Sequence, residues 1–406
     1  MKILVLAGGS DQIALIQELK KYKHEIILLD YFENPPAKQY ADKHIQASTL
    51  DVNAVVDVAK NENVGLITTA CTDQALMTVA EVSEKLGLPC YISHKTGLNV
   101  TNKAYMKKVF IDNNIPTSKH IIVDDVYCID EKLKDFQYPL VVKPVDCNSS
   151  KGVKKVENVE MLKLALIDAI SYSRTNTAVV EEFKKGVELS CDLYVQDGTA
   201  KLLSVTTSRK IRNRNSFTII QSYYPVISKN EEKSVLSISQ QIVDAFKLKD
   251  CPLLVQMIYN DHGLFVLEFS ARMGGGSKYK LIEVLAGVNI MRNYVRLVLD
   301  LPVNVNPTRQ INYVTMNYVY CNPGVIKEFK GLKELYEKGI ITYFFEYKTC
   351  NMKIERAETS GDRACGYLVT AQNAKEMDEK ISYVDSHIAI LNEKGQDIMI
   401  HKIWEC

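Results

Sequence analysis

Between Leu264 and Ser277 the chain reads LFVLEFSARMGGGS. The apolar run predicts a buried strand. Side chains alternate faces along a strand, so Glu268, Ser270 and Arg272 are expected on one side. A carboxylate, a hydroxyl and a guanidinium meeting at a strand end suit a divalent cation held against a polyphosphate. The carboxylate takes the metal, the arginine takes a phosphoryl group, and the glycines let backbone come close. The same spacing also fits an ordinary Glu268–Arg272 ion pair at a strand end. Both readings stand on this stretch alone.

The middle third adds further groups with chemical potential. Lys103 and Lys143 are placed on a helix and at a strand end. The polar loop Asp146–Val153 is rich in small residues whose N–H groups can cover phosphates. Glu181, Glu182 and Glu188 lie on a strand–turn–strand, and Gln256 and Glu268 lie on the two arms of one hairpin, where both can meet one metal. Taken singly, each has a structural reading: solvated lysines, a surface loop, a strand-end pair of charges.

Positioning these groups falls to a regular series of elements. Strands at Lys2–Ala7, Glu25–Asp30 and Gly65–Thr69 alternate with helices at Asp11–Lys21, Val52–Asn61 and Thr72–Leu86, the last with Asp73 able to cap its first turn. This alternation predicts a parallel, doubly wound sheet. The turn Gly8-Gly9-Ser10 followed by Asp30 invites a dinucleotide reading, but AGGSDQ lacks the third glycine of that fingerprint, so close helix–strand packing or contact with a substrate is the better account. A Lys-rich helix, Asn102–Asn113, precedes the strand Tyr138–Pro144, a helix near Asn158–Ser171 and the strand Ala178–Phe183. Antiparallel strands are expected at Val187–Val195 and Leu202–Thr207, a helix at Lys233–Phe246, and a hairpin of Leu253–Tyr259 and Leu264–Phe269 about an Asn-Asp-His-Gly turn. Helices are expected at Lys278–Ala286 and Met291–Leu299, and after Pro302 the chain is more β-like, with a last helix at Ala374–Leu391 and a last strand at Ile398–Trp404.

The 406 residues suit two or three domains, and a formal charge of +1 carries no signature of nucleic-acid or membrane binding. No apolar run reaches the roughly 20 residues of a membrane helix. MKILVLAGGSD reads as a first strand and not a secretory signal. The ten cysteines are scattered, without CxxC. They read as small buried hydrophobes, which makes a cytoplasmic setting the default.

In order, the Pro139–Pro144 strand with Lys143, the NSSKGV loop, VVEEF followed by Glu188, and VLEFSAR resemble the motifs of the ATP-grasp superfamily. The likeness is to its carboxylate–amine ligase branch, which includes L-amino-acid ligases, purine-pathway ligases, carbamoyl-phosphate synthetase and biotin carboxylase. It implies an N-terminal α/β domain (1–95), an ATP-grasp region (96–300) and a β-rich closing segment (301–406). It also implies ATP and Mg2+ (or Mn2+), small-molecule carboxylate and amine substrates, and in relatives a dimerising N-terminal surface.

Residue by residue, the resemblance places Lys103 and Lys143 on ATP phosphates, with Ser149, Ser150 and Gly152 in a loop above them. Glu181 and Phe183 would line the adenine slot, and backbone of Glu182–Phe183 would read the base. Glu188 would hold the ribose, Gln256, Glu268 and Ser270 the metal, and Arg272 the transferring phosphoryl group. Two positions depart from the commoner pattern, which has Glu at 256 and Asn at 270. Loss of one negative charge at Gln256 is expected to weaken a second Mg2+. Arg209, Lys210 or Arg212, and the amides of Gly274–Ser277, are candidates to hold a substrate anion. The expected activity is amide formation through an acyl phosphate, first with an amino-acid substrate, with a purine-pathway ligase such as glycinamide ribonucleotide synthetase, or nucleotide binding without turnover, as the alternatives.

Overall fold

Residues 3–6 are buried on both faces, so the first strand, β1 (Lys2–Leu6), sits inside a sheet. With β2 (Glu25–Asp30), β3 (Lys43–Gln46) and β4 (Leu66–Thr68) it forms a parallel sheet of order β3-β2-β1-β4. Helices α1 (Ser10–Lys20), α2 (Val52–Asn61) and α3 (Asp73–Leu86) connect the strands. The short polar edge strand β3 was not anticipated, because KHIQ lacks the apolar run that marks its neighbours. The computed structural model describes residues 1–126, 129, 133–147, 151–211, 218–309 and 311–405. Ser149, Ser150 and Arg212 lie outside them.

The glycine turn after β1 is taken up by packing. The Gly8 N–H donates to Asp30 Oδ2 at 2.6 Å, and a Cβ on Gly8 would stand 2.6 Å from Pro35 Cβ. Asp30 is thereby committed to backbone, which leaves no dinucleotide fingerprint in use.

Two helices, α4 (His94–Thr101) and α5 (Lys103–Asp112), lead into the second sheet. Strands β5 (His120–Val123), β6 (Leu140–Pro144), β7 (Lys154–Val156) and β8 (Ala178–Glu182) pair antiparallel in the order β5-β8-β6-β7. Helix α6 (Val159–Tyr172) buries Leu162, Ala165, Leu166 and Ala169, its i, i+3, i+4, i+7 stripe. It packs that stripe with Leu140, Val142 and Val180 of the sheet.

The largest sheet has eight strands. Its order begins β13 (Gly263–Ser270), β12 (Cys251–Asn260), β9 (Val187–Gln196), β10 (Thr199–Lys210), β11 (Ile219–Tyr224) and β14 (Tyr313–Val319), and it ends with Cys365–Ala371 and Tyr343–Glu346. Helices α7 (Lys229–Phe246), α8 (Lys278–Ala286) and α9 (Ile290–Val298) pack around it. Phe110 of α5, Phe246 of α7 and Phe269 of β13 pack together, with ring centroids 4.5 to 6.1 Å apart. Because Phe269 faces this core, its strand neighbours Glu268 and Ser270 face the other way.

Two C-terminal expectations are corrected. The last helix ends at Asp385, and Ala389–Leu391 is a strand. Ile398–Trp404 is not a strand: the Asp397 carboxylate takes the N–H groups of Ile390 and Met399, so side-chain bonds replace a ladder.

Candidate active site

Asn102 is extended, at φ −105° and ψ 117°, and so ends α4 and caps α5 at once, its side chain accepting from the Ala104 N–H. The break points Lys103 inward. The Lys103 backbone N–H donates to Val145 O at 2.7 Å, tying α5 to the end of β6. Its ammonium lies 3.0 Å from Glu268 Oε2 and donates to Cys147 O at 2.8 Å. Burial alone would lower the Lys103 pKa, and Glu268 overcomes this and holds it above the usual value. Burial likewise would raise Glu268, but Lys103, then Lys143, bring it below the carboxylate range. The ordinary Glu268–Arg272 pair is not formed.

Gln256 stands directly across the ladder from Glu268. Among the described residues no group of three or more His, Cys, Asp or Glu is placed to hold a metal ion, and this wall offers the Glu268 carboxylate, the Gln256 amide oxygen and the Ser270 hydroxyl oxygen. Such a set fits Mg2+, whose remaining positions phosphate oxygens and waters complete.

Lys143, at the end of β6, donates to Glu181 Oε1 at 2.6 Å, and Lys107 lies 3.0 Å from the other oxygen of the same carboxylate. Burial would raise Glu181, yet the two lysines bring it down to about 2. Burial outweighs the pull of Glu181 on Lys107, whose pKa falls to about 8. Glu181 therefore holds Lys143 in place while it lines the neighbouring cavity. Lys107 was missed by sequence reasoning, since within KAYMKKVF it looks like any solvated lysine.

A cavity of about 130 Å³ is lined by Lys143, Glu181, Phe183, Glu188, Lys210 and Ile258 among others. The N–H groups of Glu182 and Phe183 are already spent on Lys119 O and Pro139 O, both at 3.0 Å. These two amides are therefore not available to meet a base. The Glu182 side chain pairs with Lys184 at 3.6 Å, and Glu188 pairs with Lys210 at 2.5 Å on the slot wall. Arg209 is engaged with Gln221 at 3.1 Å. Gly152 takes φ +71°, where a Cβ would press on Pro144 and Tyr172, so the chain entering β7 needs glycine there.

A second cavity, of about 300 Å³, lies on the far side of Lys103. Lys103, Cys147, Gln256 and Glu268 line both cavities. The second is walled by Asp11, Asp73, Arg272, Lys278, Tyr318 and Arg363 among others. The Gly276 and Ser277 amides, expected to take a substrate's carboxylate, are occupied by Asp11 at 3.1 and 2.9 Å. Asp73 does not cap α3: its carboxylate accepts from Ser270 Oγ, from Arg272 Nε at 2.7 Å and from Arg272 Nη2. The Arg363 guanidinium is buried with its centre 3.6 Å from the Tyr318 ring centroid, and it donates to Tyr320 Oη and Ser360 Oγ. Among the described residues no carboxylate is in ion-pair contact with it. These acids and Arg363 carry no local motif.

Residues 136–280 match the model of the ATP-grasp domain family. These residues form an ATP-grasp domain. The chain is 24% identical over 308 residues to a phosphoribosylamine–glycine ligase of Pyrococcus furiosus, covering 70% of this chain and 69% of that protein. The fold is shared with the L-amino acid ligase of Bacillus licheniformis, at TM-score 0.79 and 18% identity over 97% of this chain and 98% of that one. It is likewise shared with the phosphoribosylglycinamide synthetase of Anaerococcus prevotii, at TM-score 0.75 and 18% identity over 97% and 99%. Among the described residues of this chain, no helix is long and apolar enough to cross a membrane.

Proposed function

We propose that this chain joins an amine to a carboxylic acid through an acyl phosphate, and that its substrates are those of a purine-pathway ligase of the phosphoribosylamine–glycine type. One observation carries the chemistry: the slot and the chamber meet at Lys103, Gln256 and Glu268. A triphosphate lying in the slot would present its last phosphoryl group to the chamber at that seam. Transfer to a carboxylate oxygen in the chamber breaks the bond to ADP and makes an acyl phosphate. Attack of the amine nitrogen on the acyl carbon then expels inorganic phosphate, and the nitrogen loses a proton.

Lys103 and Lys143 would neutralise phosphate charge, and Arg272 would face the group in transfer. A divalent cation held by Glu268 and Gln256 would add further neutralisation between the phosphates. The choice of purine-type substrates over the amino-acid reading is supported by the relative in Pyrococcus furiosus. It is also supported by Arg363, whose buried guanidinium suits a phosphate or carboxylate on the substrate. The amino-acid reading stays second, favoured by the TM-score of 0.79 to the Bacillus licheniformis ligase. A cytoplasmic site of action goes with either.

Release of ADP separates the readings when measured with phosphoribosylamine plus glycine and, separately, with pools of paired amino acids. Turnover only in the first mixture is expected. Turnover only in the amino-acid pools would transfer the assignment, and tight ATP binding with no ADP from any mixture would mean a nucleotide-binding protein.

A further inference from the structure

The loop from Ser270 to Ser277 carries Arg272, and it is clasped at both ends by acids of the N-terminal sheet. Asp11, in the first turn of α1, takes the Gly276 and Ser277 amides. Asp73, in the first turn of α3, takes Ser270 and Arg272 from 197 and 199 residues away. Both helices begin just beyond the C-terminal ends of parallel strands, the edge where such sheets meet ligands.

The geometry at Asp73 is a fork on a fork, with Nε and Nη2 of Arg272 on the two carboxylate oxygens. The Met273 carbonyl takes Nη1 at 2.6 Å. The guanidinium plane is thus fixed from two sides, and among the described residues an N–H on each terminal nitrogen is still unspent. Arg272 and Asp73 both line the chamber. Burial alone would raise Asp73, yet Arg272 keeps it below its ordinary range, so it stays an anion beside the arginine.

We propose that Asp73 is a positioning residue for phosphoryl transfer: through Arg272 and Ser270 it makes the N-terminal sheet a working part of the triphosphate site. The inference rests on the ligase reading, since it assigns Arg272 to the terminal phosphoryl group. An arginine on a free loop would lose ordering entropy at each encounter, whereas one held by Asp73 is already oriented.

The test is a double-mutant cycle on the whole chain with Asp73→Asn, Arg272→Gln and the pair. Calorimetry with Mg2+ present would give the affinity for the β,γ-imido analogue of ATP and for ADP. Each single change is expected to lower the preference for the triphosphate about tenfold, with the double variant no worse than either. ADP affinity and melting temperature should stay close to those of the unaltered protein. Additive losses, an unchanged preference in Asp73→Asn, or equal loss of both nucleotides would overturn the proposal. If the unaltered chain bound neither nucleotide, the ligase reading itself would fall, and this assignment with it.

Discussion

Glu268 reaches Lys103 across the seam of the two cavities, Oε2 to Nζ at 3.0 Å. One residue comes from a hairpin of the large sheet and the other from a helix that leads into the small one. Their contact is held by the Phe110–Phe269 packing behind it. Each charge is the other's partner, and under the proposed reading a magnesium–triphosphate would meet both.

Replacing either partner should cost activity and little else. Lys103→Ala and Glu268→Gln are each expected to lower ATP-dependent ADP release by about a hundredfold or more. The melting temperature should move by only a few degrees, because the Glu268 side chain is 35% exposed. A variant that kept near-normal turnover would remove its residue from the phosphate and metal wall.

Glu181 sets the acid limit of stability. Its folded pKa of about 2 lies below its ordinary value of 4.5. Its contribution is therefore fully present above pH 4.5 and drains away as pH falls toward 2. Urea midpoints measured from pH 6 downward should fall through that window. Glu181→Gln should be less stable at pH 6, by about 3–5 kcal/mol, because two buried lysines lose their partner. Its midpoint should also fall less steeply in acid. An equally steep fall in the variant would mean that other groups govern the transition.

In the proposed metal site, the neutral amide of Gln256 would limit the charge offered to the cation. Gln256→Glu is expected to lower the Mg2+ concentration for half-maximal ADP release by about tenfold, since ligand charge tunes affinity for hard cations. An unchanged Mg2+ requirement would place residue 256 outside the coordination sphere.

The aromatic contact behind the site is a stability element. Phe269→Ala should lower unfolding free energy by about 3–5 kcal/mol, as cavities left by buried aromatics do. Its urea midpoint would report this. A loss under 1 kcal/mol, taking the range for ordinary surface changes as the yardstick, would show that the core closes over the gap.

Much of this was legible along the chain because it is local. The parallel alternation of β1, β2 and β4 follows from apolar runs between amphipathic helices. The Glu268–Ser270–Arg272 placement follows from the two-residue period of a strand, and the hairpin that opposes Gln256 to Glu268 follows from its turn. Elements written in polar residues were missed: β3 is KHIQ at a sheet edge, and the stretch read as the last strand is held by Asp397.

Sequence alone determined which groups gather at the cavity wall, since Lys143, Gln256 and Glu268 sit on strands whose pattern fixes the faces they show. Only the tertiary structure decided whom those groups meet. It gave Glu181 to two lysines, spent the Gly276 and Ser277 amides on Asp11, and bound Arg272 to Asp73. The reason is physical: a strand's period is set by neighbours in sequence, whereas an ion pair between residues 199 apart depends on how separate sheets dock.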